Sequence, residues 1–197
     1  MRSEHAIGIQ GWSRRVRWLV TVVGVMAVLT AGWPLVSLAV SDDQPAAAGQ
    51  PLPVGPDTNH SAQFTPGRGW LIRSAGTDPN QTWILRRGPV DLSVTYVTLA
   101  SPSQAGGLWP ALQNILRLGN PSARLGKPAP LISSQGRKGL TGTVTENGRE
   151  GQAAVFPGPT QDFAIEIVSV APVKNSPAAR EDAAQVVRSL RIPEASK

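Results

Sequence analysis

Trp18 to Ser41 is an unbroken run of 24 residues without a charged side chain, preceded by Arg14, Arg15 and Arg17 and followed at once by Asp42 and Asp43. A helix rising about 1.5 Å per residue over that run crosses the roughly 30 Å hydrocarbon layer of a bilayer. The arginine flank predicts a cytoplasmic tail over 1–17, a transmembrane signal-anchor helix over 18–41, and everything after it outside the membrane. The same pattern also fits a secretory signal peptide, with Pro34 dividing the run and Ser37 and Ala39 suiting a cut after Ala39. The first reading gives a single-pass plasma-membrane protein, the second a secreted one.

Residues 42–62 read as a Pro/Ala-rich linker with Pro45, Pro51, Pro53 and Pro56 and few large apolar side chains. Such a segment favours polyproline II, and some 20 residues at about 3.1 Å each would hold a domain up to about 60 Å from the bilayer.

From residue 63 the pattern predicts a folded domain. GWLIRS (69–74) and QTWILRR (81–87) read as strands, and Val90, Leu92, Val94 and Tyr96 alternate with Asp91, Ser93 and Thr95, the period of a strand with one buried and one wet face. Leu108, Trp109, Leu112, Ile115 and Leu116 recur at helical spacing. Pro110 belongs in a first turn, so the helix is expected to start near Gly107 or Leu108 and to stop before Gly119, with a loop over 120–130. Four more strands follow, over 131–135, 138–146, 149–156 and 162–171. Asn147-Gly148 between the middle pair is a type I′ hairpin signal that sets Glu146 opposite Arg149. A closing helix over 177–191 carries the stripe Ala179, Ala183, Val186, Val187 and Leu190. Ser176 is placed to cap it, Glu181 and Asp182 suit its positive end, and Arg188 and Arg191 its negative end.

The result is an α+β class: after the membrane helix, a mainly antiparallel sheet with two packed helices in the order β-β-β-α-β-β-β-β-α. Over roughly Phe64 to Ile192 this order, with the Gly69-Trp70 opening and the closing VVRSLRI, resembles the PsbP-like fold. That fold is shared by thylakoid-lumen photosystem subunits, Ran-binding Mog proteins and mycobacterial envelope lipoproteins. The resemblance implies a binding or assembly factor with a protein partner, and it carries over no site residue.

Composition narrows the chemistry. There is no cysteine, which excludes disulfides, thiol catalysis and a lipid-modified N-terminus. The two histidines are His5 in the tail and His60 in the linker, so a Ser-His-Asp triad or a histidine metal site is not expected in the domain. Asp91, Glu146, Glu150, Glu181 and Asp182 all fall at positions that fold chemistry explains, so no carboxylate enzyme is expected either, nor any cofactor. Gly126-Lys127 lacks the earlier glycine of a phosphate-binding loop.

Residues 63–197 hold fifteen Lys and Arg against nine Asp and Glu, dispersed rather than clustered, which favours anionic lipid headgroups over nucleic acid. Trp70, Trp83 and Trp109 read first as core; the sharper alternative sets them along a cleft between helix and sheet, with Arg86 and Arg87 meeting an anionic headgroup or an acidic partner. The expected function is a non-catalytic adaptor or assembly factor of a cell-envelope complex. The alternative is an exported module for a lipid or small amphiphile.

Overall fold

The structure is a computed structural model and describes residues 43–58, 60–102 and 105–194. The predicted tail and membrane span lie outside the described residues, and no helix among the described residues is long and apolar enough to cross a membrane. Asp42–Lys197 forms one compact unit. Its strands are β1 (Asp43–Pro45), β2 (Leu52–Val54), β3 (Ala62–Phe64), β4 (Leu71–Arg73), β5 (Thr82–Arg87), β6 (Val90–Thr98), β7 (Arg124–Leu125), β8 (Ala129–Ile132), β9 (Lys138–Glu146), β10 (Arg149–Pro157) and β11 (Phe163–Pro172). Helix α1 (Ala105–Gly119) follows β6, and α2 (Ser176–Ser189) closes the domain after a single 3-10 turn, Val173–Asn175.

Nine strands make one antiparallel sheet in the order β1-β4-β5-β6-β11-β10-β9-β7, with β8 also paired to β9; β2 and β3 form a separate ribbon. The central strand β11 lies between β6 and β10. Alternation along it divides the interior in two. Phe163, Ile165, Ile167 and Ala171 point to the face covered by α2 and the ribbon, while Ala164 and Val170 point to the face where Leu108, Trp109 and Leu112 of α1 pack. Because both faces are covered, β11 reads as an almost continuous apolar run instead of an alternating one.

The hairpin between β9 and β10 turns at Asn147 and Gly148 with φ of 43° and 70°, and Glu146 stands opposite Arg149. The α2 stripe is buried throughout, from Ala179 to Leu190. Its start differs from expectation: Asn175 holds the N-cap position and makes no side-chain cap bond, while Ser176 is already in the first turn and accepts from Arg180. Helix α1 begins at Ala105, earlier than the proline suggested. Pro110 therefore sits inside the helix, where it removes one backbone N–H from the ladder.

The largest departure lies over residues 43–62, the predicted linker. They are folded onto the domain. β1 pairs with β4 at the sheet edge, and Leu52, Val54, Ala62 and Phe64 alternate into the α2-side core, the last three fully buried. Burying a Phe or Val side chain contributes about 1.5–3 kcal/mol, which outweighs the preference of a proline-rich chain for solvated polyproline II. Proline is tolerated because Pro45 lies on a sheet edge and Pro53 points outward between two buried neighbours. From residue 43 on, the predicted stand-off linker is therefore part of the folded domain.

Candidate functional site

The five residues singled out in the sequence fall on both faces of the sheet and do not share a cleft. On the α2 side, Trp70 is 1% exposed and lies in the core, with the Arg87 guanidinium carbon 5.2 Å from its ring centre. Arg87 also makes a short ion pair with Asp182 of α2, whose side chain is buried. Burial raises the Asp182 carboxyl above the usual carboxylate range, and the Arg87 charge opposes that rise. Asp182 is therefore held as half of a buried pair, not as the solvated first-turn acid the sequence suggested. Trp83 packs against the same core and its indole donates to the Pro53 carbonyl at 2.6 Å, fastening the ribbon to β5.

On the opposite face, Trp109 is 6% exposed under α1, and its indole donates to the Gly126 carbonyl at 3.2 Å. Arg86 points to this face at the far side of the sheet, with its Nε 3.3 Å from Asp91. Asp91 also takes Arg149 at 2.7 Å, and Arg149 donates to the carbonyls of Val170 and Pro89. The tryptophans are packing and pinning groups. Two surface grooves, one of about 340 Å³ along Gln135, Arg137 and Ile192 and one of about 390 Å³ along Thr145, Glu146 and Arg149, contain none of them.

Three features were not singled out in the sequence. The first is Glu166, on the α1-facing side of β11 opposite Thr95 and Val155 and 7% exposed. Desolvation pushes its carboxyl up to about 7, with no opposing charge or hydrogen bond. A glutamate inside FAIEIVSV was the available signal.

The second is a polar cluster on the loop between β2 and β3. The His60 amide donates to Asp57 Oδ1 at 2.8 Å, and its Nδ1 lies 3.1 Å from both Asp57 oxygens. Its Nε2 lies 3.4 Å from Asp162 Oδ2, and its ring meets Phe163 edge-on at 6.1 Å. His60, expected in a linker, is thus seated on the first residue of the central strand. The third is the outer flank of α1, where Ala111, Ile115 and Leu118 share one side of the helix; Ile115, which the sequence placed on the packed stripe, is 45% and Leu118 88% exposed.

No family model matches the chain, and no curated protein matches it in sequence. Its fold, however, is similar to that of cyanobacterial PsbP from Synechocystis sp. PCC 6803, with a TM-score of 0.54 over 75% of this chain and 95% of that one at 13% identity. The domain has the PsbP-like fold. The Ran-binding protein Mog1p of Saccharomyces cerevisiae is also similar, with a TM-score of 0.49 over 74% of this chain and 96% of that one at 12% identity. At such identities the likeness is one of architecture, and no residue of the PsbP-like domain inherits a role from it.

Proposed function

We propose that this protein is a non-catalytic adaptor or assembly factor of the cell envelope, anchored through residues 18–41 with the PsbP-like domain outside the membrane. The observation that carries this reading is the bare flank of α1. A helix whose inner side already fills a core displays Ile115 and Leu118 to solvent at one turn's spacing. Exposed aliphatic side chains repeated along one helix flank present a contact surface for another protein, whereas scattered single ones would not. The alternative of a lipid-binding module loses its motive, because its tryptophans and arginines are spent on packing, on the ribbon and on ion pairs.

The test is photo-crosslinking in intact cells, with a photoreactive residue replacing Leu118 in one strain and Arg188, exposed on α2 across the sheet, in another. Discrete protein adducts from position 118 and not from 188 are expected. Equal adducts at both positions, or none at 118, would refute the reading. Adducts to lipid alone at 118 would return the protein to the amphiphile-binding class.

A further inference from the structure

The His60 cluster joins two parts of the domain that are far apart in sequence. The loop over residues 55–61 leaves β2 at Gly55, whose φ of 128° and 2.2 Å approach to the His60 carbonyl, measured from where a Cβ would stand, admit no side chain. It is closed by Asp57 bonding both the amide and the ring of His60, and the ring then reaches Asp162, the residue just before β11. Beneath the ring lies Phe163, stacked on Tyr96 of β6 with ring centres 5.1 Å apart. One imidazole therefore decides how firmly this loop covers an aromatic pair at the end of the central strands.

We propose that the loop over residues 55–61 is a proton-operated latch, in which His60 bridges Asp57 and Asp162 when its ring is charged and loosens its hold on Asp162 and the Tyr96–Phe163 pair when the ring is neutral. Neutral imidazole can still donate one N–H, but it cannot donate to both carboxylates at once. The groups that face it are Asp57 on its own loop, Asp162 just before β11 and the Tyr96 phenol on β6, which is itself coupled to both carboxylates.

The direction follows from these partners. Asp57 first, and Asp162 with it, raise the His60 ring above its ordinary value, while hydrogen bonding from Thr160, helped by His60, lowers Asp162. The histidine contribution is complete below its unfolded value of 6.5 and fades as pH rises through the raised folded value. The Asp162 contribution is complete above its unfolded value of 3.8 and fades as pH falls through the lowered one. The latch is thus tightest between those two limits and opens on the alkaline side.

The chain contains two histidines and one tyrosine, so proton NMR resolves the reporters directly, with His5 as internal reference. His60 is expected to titrate at a higher pH than His5, and both D57N and D162N to lower its midpoint. In an E166Q background, which removes the Glu166 titration, the Tyr96 resonances and the exchange protection of the Ser61 and Gln63 amides, corrected for intrinsic rates, are expected to change with that same midpoint and to lose that step when H60Q is added. D162N leaves the loop's internal Asp57 bond intact, so it tests the bridge even if D57N disorders the loop. Identical midpoints for His60 and His5, or a pH response of Tyr96 left unchanged when H60Q is added to E166Q, would overturn the proposal.

Discussion

Replacing Glu166 by Gln should remove most of the pH dependence of this domain's stability between pH 5 and 8. The carboxyl is 7% exposed on the central strand, and nothing of opposite charge or hydrogen-bonding character offsets its desolvation, which carries it from 4.5 to about 7. Since the folded value exceeds the unfolded one, the folded state holds the proton more tightly. Stability is greatest below pH 4.5 and falls as pH rises through about 7. At about 1.4 kcal/mol per pH unit, ionising Glu166 inside the fold costs on the order of 3 kcal/mol above pH 8. Glutamine has the shape of the protonated acid and no charge to desolvate. E166Q is therefore expected to match the wild type within about 1 kcal/mol at pH 5 and to exceed it by roughly 2–3 kcal/mol at pH 8. Urea unfolding followed by tryptophan fluorescence at both pH values gives the two differences, and the His60 contribution, present in both proteins, cancels in each. An E166Q variant destabilised by the same amount at both pH values would refute the reasoning, because it would mean that the carboxylate has a partner which the amide lacks.

Phe64→Ala, next to the predicted linker, should cost roughly 3–5 kcal/mol in the same assay because the ring is fully buried beside α2; a loss below about 1 kcal/mol would detach the ribbon from the core. Arg87→Ala leaves the buried Asp182 carboxylate without its cation and should cost about 3 kcal/mol, toward the low end for a broken buried pair because the guanidinium is partly solvated. The double variant R87M/D182L, which removes both charges, should recover much of that loss, and an equal or larger loss in the double would refute the pairing. Leu118→Glu should change stability by no more than about 0.5 kcal/mol, since the side chain touches little, while abolishing the protein adducts formed by a photoreactive residue at exposed position 111 of the same flank.

Most elements from residue 69 onward were legible because each announces itself locally, but β7 and the first half of β8 lie in the stretch 120–130 that was expected to be a loop. Asn147-Gly148 encodes its own backbone geometry, the α2 stripe repeats at helical spacing, and β6 alternates across a sheet with one apolar and one polar face. Residues 43–64 were hidden because their strands are three residues long, too short for a period to establish itself against a proline-rich background. Leu52-Pro53-Val54 and Ala62-Gln63-Phe64 do alternate, and the two triplets pair with Leu52 opposite Phe64. Their burial is a tertiary fact: it requires the hollow between α2 and the sheet, which no window of local sequence describes. The candidate residues were grouped against a local rule instead. Trp83, Arg86 and Arg87 are neighbours in the chain, yet along a strand adjacent side chains point to opposite faces, so Arg86 could never join Arg87 and Trp83 in one cleft.

That alternation also makes Glu166 the most informative residue of the chain. A strand with one wet face can place a glutamate there at no cost, and a strand buried on both faces cannot. FAIEIVSV is apolar at positions of both parities, so its sequence already says that neither face is wet, and a carboxyl within it must be either paired or pushed toward its neutral form. The structure shows the second outcome. Its ionisation and that of His60 both weaken the folded state as pH rises, by different routes: one charges a buried acid, the other discharges an exposed base between two carboxylates. The two act at opposite ends of the burial scale, so salt separates them. Screening should shrink the His60 contribution and leave that of Glu166 nearly unchanged, because a desolvation cost has no ion partner for salt to screen. A pH dependence of stability that persists in H60Q at high ionic strength and is mostly lost in E166Q is what this assignment requires.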